Sequence, residues 1–254
     1  MVKLTIDGKE VEARDGAMVL DVAREAGVHI PALCHHPAVS PYGACRLCLV
    51  EAKQGGRTRM VTSCCYPVRD GLEILTDTER VQKARRGVME LLLARAPESD
   101  SLRTLAASMG VTKSRFPRIT STDGNCILCG LCVSVCGEVM GAAAIAFANR
   151  GVERVVAAPF QESSEACIGC GACAAVCPVG AIEMRWVDGE VEVVPFRTRV
   201  QAARCEDCGA PLAGLPLSEQ IQAKLGDGLA YAARVCDECK RRRAARRVPL
   251  VVAG

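Results

Sequence analysis

The sequence predicts an α+β chain made of several small units, each organised around sulfur ligands rather than around one large apolar core. Three observations predict it. Strand-like alternation and helical periodicity succeed one another in short segments. Aromatic residues make up only 3% of a chain that is 50% apolar, so large rings are not what fills the interior. Seventeen cysteines stand in 254 residues, almost all at close, repeated spacings.

VKLTI and KEVEAR alternate on either side of Asp7-Gly8, a two-residue hairpin turn. AMVLDVAREAG follows with Val19, Leu20, Val22, Ala23 and Ala26 on one helical face and Gly27 as its stop. A cysteine-bearing loop from Pro31 to Cys48 leads to a second hairpin, LVEAKQGGRTRMVTS, which turns at Gly55-Gly56. Thr76 and Glu79 have capping-box spacing ahead of the helix TERVQKARRGVMELLLARA, for which Val81, Ala84, Val88, Leu91 and Leu92 are the expected buried stripe. A shorter helix, SLRTLAASM, ends at Gly110, and the polar stretch Lys113 to Asn125 is the expected linker. Two short strands are expected around Asp188-Gly189 within 185–204, and a helix from Ser218 to Leu225.

The N-terminus has no apolar signal core, and no stretch approaches the ~18 apolar residues of a membrane span. The expectation is a cytoplasmic chain without a transmembrane segment, whose reduced thiols serve metals rather than disulfides. Net charge is only +3, which gives no reason to expect nucleic acid as a partner. The local exception is CKRRRAARR, Cys239 to Arg247, read as a solvated basic tail.

Cysteine spacing carries the chemistry. CILCGLCVSVC and CIGCGACAAVCP each read C-x2-C-x2-C-x3-C, in which three thiolates seat one cubane and the fourth reaches the other. Cys126, Cys129, Cys132 and Cys177 are thus expected to hold one 4Fe–4S cluster, and Cys136, Cys167, Cys170 and Cys173 the second. Gly137 stands where the other unit has Pro178. Cys34, Cys45 and Cys48, with Cys64 or Cys65 as fourth ligand, follow a 2Fe–2S pattern with a lengthened first gap. His35 and His36 adjoin Cys34, but the paired Cys-His loops of a Rieske site are lacking, so they are read as loop packing. Cys205, Cys208, Cys236 and Cys239 form two CxxC knuckles, the ligand set of a structural zinc, with a fourth cluster as the alternative. Sixteen cysteines are then accounted for, and Cys65 is left over.

No catalytic set accompanies these ligands. No dinucleotide fingerprint or phosphate loop occurs, and all three histidines lie close to Cys34. The chemistry on offer is one-electron transfer.

IPALCHHP, GACRLCLVE, SCCYPVRDGLEILT, ERVQKARRGVMELLL and NCILCGLCVSVCGEVMGAAAIAFANRG resemble the N-terminal part of the large iron–sulfur subunit of respiratory complex I. They also resemble the diaphorase small subunit of NAD-linked hydrogenases and formate dehydrogenases. The resemblance favours Cys64 as the fourth 2Fe–2S ligand. It implies a β-grasp 2Fe–2S ferredoxin domain (1–78), a helical linker (79–125) and a 2×4Fe–4S ferredoxin-like domain (126–204), to which the two CxxC knuckles add a small C-terminal metal-ribbon extension with a basic tail (205–254). Those relatives carry a His/Cys3 cluster after the long helix, whereas residues 95–125 here contain neither His nor Cys. RCEDCGAPL to CDECKRR is similar instead to the tail of a ferredoxin-like subunit of formate hydrogenlyase, which makes the chain a mosaic. The implied partners are a flavin/NAD(P)-binding subunit and a catalytic redox subunit such as a hydrogenase or formate dehydrogenase. A standalone ferredoxin-like carrier is the alternative, and an iron–sulfur sensor that binds nucleic acid a third reading.

Overall fold

The protein is described from a computed structural model covering residues 1–119 and 125–247; for 225–233, 246 and 247 only the backbone is described. Strands β1 (Val2–Ile6) and β2 (Lys9–Ala13) form the first hairpin. Asp7 and Gly8 turn it at φ 49° and 81°, the doubly left-handed geometry that an Asp-Gly pair supplies cheaply. Helix α1 (Val19–Glu25) buries Val19, Leu20, Val22 and Ala23 against the sheet. The second hairpin joins β3 (Leu49–Gln54) to β4 (Arg57–Thr62).

Strand β5 (Leu72–Leu75) completes a five-stranded sheet in the order β2-β1-β5-β3-β4. It runs parallel to β1 and antiparallel to β3, so the central strand is the one the sequence hid. Its four residues are too few to display alternation. A mixed sheet gripping one helix is the β-grasp arrangement that the resemblance implied.

Helix α2 spans Glu79–Arg95 and α3 spans Asp100–Ser108. Two expectations about α2 need correction. Its cap is Thr78, whose hydroxyl accepts from the Val81 N–H at 3.2 Å. Thr76 is otherwise engaged, donating its N–H and hydroxyl to the Asp7 carboxylate at 2.7 and 2.6 Å. The buried stripe is Val81, Arg85, Met89, Leu92, Leu93 and Ala94, while Leu91 is 51% exposed. The stripe turns because Arg85, which a hydropathy pattern places outside, donates twice to the Leu49 carbonyl (3.1 and 2.7 Å) and is drawn under β3.

The expected linker is not free as far as it is described. The Ile119 N–H reaches the Ala94 carbonyl at 2.9 Å, and Arg115 and Arg118 pair with Glu90 and Glu98, laying the segment back along α2. Residues 120–124 lie outside the described residues.

Beyond it, helix α4 (Leu131–Ser134) opens into a π turn at Val135–Val139. The short hairpin β6 (Ala146–Ala148) and β7 (Val155–Ala157) follows, then helix α5 (Ala172–Ala175). Four strands, β8 (Glu183–Val187), β9 (Glu190–Val194), β10 (Thr198–Arg204) and β11 (Pro211–Gly214), form an antiparallel sheet in the order β11-β10-β9-β8. This is one strand more in 185–204 than expected, because β10 follows the Asp188-Gly189 hairpin after a tight turn at Arg197 (φ 51°). Helix α6 (Leu215–Arg234) is longer than the stretch Ser218 to Leu225, with Pro216 in its first turn, where a missing N–H costs nothing. Helix α7 (Asp237–Arg247) ends the described chain.

The corrected cap can be tested. Thr78→Ala should cost the first turn of α2 about 1 kcal/mol, roughly a fivefold rise in amide exchange at Val81 and Gln82. Glu79→Ala should leave those amides nearly unchanged; the opposite order would restore the capping-box reading.

Candidate metal centres

The β3–β4 hairpin assembles the first thiol group. It sets Ser63 beside Cys48, whose carbonyl accepts from the Ser63 N–H and hydroxyl at 3.0 and 2.8 Å. Cys64, on the short 3-10 turn Ser63–Cys65, thereby faces Cys48. From the other side comes the loop holding Cys34 and Cys45, where the Cys45 N–H points at Cys34 Sγ at 3.4 Å. All four thiols are buried, and Cys34 lies within hydrogen-bonding reach of both Cys45 and Cys64. Thiol donors from Cys45 and Cys64 pull Cys34 down to about 2, while bonding to Cys34 pushes Cys45 and Cys64 up. Cys64 likewise holds Cys48 down at about 6, so the four buried sulfurs form a ligand set in which two thiols are already inclined to ionise and a cation would displace the remaining protons.

Cys65 is exposed, with its sulfur 3.6 Å from that of Cys64. His35 Nε2 bonds the Asp21 carboxylate at 2.7 Å, and His36 Nδ1 accepts from the Ala38 N–H at 3.2 Å.

The repeated motif repeats in backbone as well as in sequence. Leu128 and Gly130 take φ 53° and 83°; Gly169 and Gly171 take 63° and 74°. In both loops the left-handed turns aim N–H groups at sulfur, from Leu128 to Cys126 and from Gly169 to Cys167. The fourth cysteines are likewise supplied, Cys136 from Ala144 at 3.3 Å and Cys177 from Ala181 at 3.2 Å. After the fourth cysteine the two units differ. Pro178 allows no further helical N–H, and α5 ends at Ala175, whereas Gly137 lets the first helix run on through the π turn.

Cys126, Cys129, Cys132 and Cys177 line one cavity of about 340 Å³. Cys136, Cys167, Cys170 and Cys173 line another, smaller one. These are the two crossed sets expected from the spacing. Burial pushes Cys129 and Cys173 up to about 12, so thiolates at these positions are not self-supporting and call for positive charge at their centre.

The C-terminal knuckles are of another kind. Cys205–Cys208 turn between β10 and β11, and Cys236–Cys239 lie where α6 meets α7. All four sulfurs fall within 4.8 Å of one another, and Cys208 and Cys236 are 3.7 Å apart. A tetrahedral ion with metal–sulfur bonds of about 2.3 Å separates its sulfurs by about 3.8 Å, whereas a cubane core would spread them further. N–H groups of Cys236 and Cys239 donate to Cys205 and Cys236 at 3.3 and 3.4 Å, and Arg242 donates to Cys239 at 3.2 Å.

Several residues that hold these groups together were not legible as functional. Tyr42, in the loop between Cys34 and Cys45, stacks on Phe147 with centroids 5.9 Å apart. Arg154 covers Phe147 at 3.9 Å and donates to the Tyr42 hydroxyl at 3.2 Å. A Cβ at Gly130 would stand 2.9 Å from the Tyr42 ring, so glycine is required there twice over. Ser40 N–H, in the same loop, reaches Glu138 at 2.8 Å. The scarcity of rings in the composition was the one signal that could have marked Tyr42 and Phe147.

Comparison with known proteins agrees with this layout. A 2Fe-2S iron-sulfur cluster binding domain matches residues 1–79, and 4Fe-4S dicluster domains match 119–184 and 166–213. The alpha subunit of NADPH-Fe(3+) oxidoreductase from Geobacter sulfurreducens is 36% identical over 205 residues, 72% of this chain and 24% of that protein. NADP-reducing hydrogenase subunit HndD from Solidesulfovibrio fructosivorans is 33% identical over 248 residues, 82% of this chain and 42% of that one. The chain therefore spans under half the length of these curated relatives. A solved chain of an NAD+-reducing [NiFe]-hydrogenase superposes with a TM-score of 0.60 at 30% identity, covering 70% of this chain and 85% of that one. The chain belongs to the family of iron–sulfur subunits that NAD(P)-linked hydrogenases share with the N-terminal part of the large NADH-quinone oxidoreductase iron–sulfur protein, with a 2Fe–2S domain followed by 4Fe–4S binding domains.

Proposed function

We propose that this chain is an electron-transfer subunit of a multisubunit NAD(P)-linked oxidoreductase. It would relay single electrons between a flavin/NAD(P)-binding subunit and a catalytic redox subunit such as a hydrogenase, formate dehydrogenase or other low-potential reductase. One observation carries the reading: the thiol sets are packed in series. Cys34, Cys45 and Cys129 share one apolar core, and Cys132, Cys136, Cys167, Cys173 and Cys177 share the next. No helix among the described residues is long and apolar enough to cross a membrane.

On this reading Cys34, Cys45, Cys48 and Cys64 hold one 2Fe–2S cluster. Cys126, Cys129, Cys132 and Cys177 hold one 4Fe–4S cluster, and Cys136, Cys167, Cys170 and Cys173 the other. Cys205, Cys208, Cys236 and Cys239 hold a zinc ion, favoured over a cluster by the 3.7 Å sulfur separation. The iron–sulfur groups supply one-electron valence change; the chain supplies the thiolates, the N–H donors that steady their charge, and the packing that excludes water between them. The relatives' names, an NADPH-linked iron reductase and an NADP-reducing hydrogenase, support a nicotinamide-linked complex.

Iron, acid-labile sulfide and EPR analysis of the intact protein should show one 2Fe–2S and two 4Fe–4S centres, together with about one zinc; a preparation carrying zinc alone would overturn the assignment. Cys64→Ser should abolish the 2Fe–2S signal or change its EPR line shape, while Cys65→Ser should leave it intact. If Cys65→Ser is the damaging change, the ligand is misassigned. Cys236→Ser should release the zinc and leave iron content unchanged, and a fall in iron instead would place a fourth cluster at the knuckles.

A further inference from the structure

The two cubane cavities are nearly matched in their sulfur hydrogen bonds and differ in charge. The first set receives N–H donors from Leu128, Leu131 and Ala181. The second receives them from Gly169, Ala174 and Ala144. Around the second cavity stand Ala142, Ala144, Ile145, Ile168, Val193 and Phe196, with Thr198 the one polar side chain besides the cysteines, and none charged, among the described residues. The first cavity is bordered by two guanidinium groups, Arg95 and Arg154.

Arg95 is held there firmly. At the C-terminal end of α2, it donates from Nε to the Cys126 carbonyl at 3.2 Å and from Nη2 to the Arg154 carbonyl at 2.8 Å. Both carbonyls belong to the walls of the cavity, and neither bond neutralises the cation. Arg154 is fixed above the Phe147 ring and against the Tyr42 hydroxyl, again without a carboxylate partner among the described residues. The one acid on the rim among the described residues, Glu183, is bonded to Arg185 at 2.7 Å and largely exposed. A guanidinium stays charged in a protein, so the excess at this cavity is permanent.

We propose that Arg95, backed by Arg154, is a tuning residue that raises the reduction potential of the cluster held by Cys126, Cys129, Cys132 and Cys177. The inference rests on the electron-relay reading. Adding one electron to a cluster adds one negative charge with no bond made or broken, and a nearby fixed cation in a poorly screened site favours that state. An electron on the chain would thereby be favoured on the cluster held by Cys126, Cys129, Cys132 and Cys177, and less so on the second, which has no such cation among its described lining residues.

Redox titration followed by EPR on the intact, cluster-loaded protein tests this. In Arg95→Gln, one of the two 4Fe–4S potentials should shift downward, while the other and that of the 2Fe–2S centre stay in place. Arg95→Lys, which keeps the charge but loses the forked bonds, should retain most of the wild-type value. An unchanged potential in Arg95→Gln, an equal shift of all three centres, or an equal fall in the Lys and Gln variants would overturn the proposal. Should Arg95→Gln fail to load its clusters, Arg154→Gln carries the same test, with a smaller downward shift of that same centre expected and no shift overturning the proposal. Wild-type protein lacking two 4Fe–4S signals would defeat the relay reading itself, a result distinct from any of these.

Discussion

The rest of the structure depends on one constraint, the crossing of Cys177 onto the Cys126–Cys132 loop and of Cys136 onto the Cys167–Cys173 loop. Each cavity takes one wall from either half of the repeat, so neither half can move away without opening a buried sulfur site to water. The braces converge on the same turn. Ser99, which caps α3 by accepting from the Leu102 N–H, also donates its hydroxyl to the Val179 carbonyl at 3.0 Å. Ser101 donates to the Pro178 carbonyl at 2.9 Å. Helix α3 therefore acts as a strut that holds Cys177 in place, and its capping residues do two things at once.

A second consequence is the distance between the 2Fe–2S domain and the 4Fe–4S region. The long gap from Cys34 to Cys45 looks wasteful if the loop only encircles a cluster. It is better explained by what its middle residues do: Ser40 reaches Glu138, and Tyr42 lies on Phe147 and against Gly130. The same loop that supplies two thiols to the first group thus touches the residue after Cys129 in the second. Met89 and Leu47 are both fully buried in the core shared by Cys34 and Cys129.

Which parts were legible in the sequence follows from what kind of force fixes them. The gathering of the cysteines into groups was, since their close and repeated spacing is explicit in the chain. The hairpin at Asp7-Gly8 and helix α1 were legible for the same local reason. Strand β5, the Arg85 burial and the Thr76–Asp7 bond were not, because each is settled by a partner dozens of residues away. A hydropathy stripe cannot know that a carbonyl such as that of Leu49 awaits an arginine. Arg95 and Arg154 were invisible on the same grounds, since charge near a cluster becomes informative only once the cavity has walls.

The C-terminal unit extends the argument. At Gly214 a Cβ would run into the Ile168 carbonyl oxygen and stand 2.9 Å from the Gly169 Cα, and the Gly214 N–H reaches the Gly169 carbonyl at 3.3 Å. Strand β11, which leads away from the Cys205–Cys208 knuckle, is thus pressed against the loop that carries Cys167 and Cys170, with no side chain tolerated between them. The left-handed Gly169 supplies an N–H to the Cys167 sulfur on one side and a carbonyl to β11 on the other. Any shift of the knuckles relative to the sheet would be felt at that sulfur through a single peptide. The extension is therefore better understood as a backing for the second cysteine loop than as an independent appendage, and a metal ion held by its four closely spaced sulfurs would stiffen that backing where an apolar core of this size would be too small to hold.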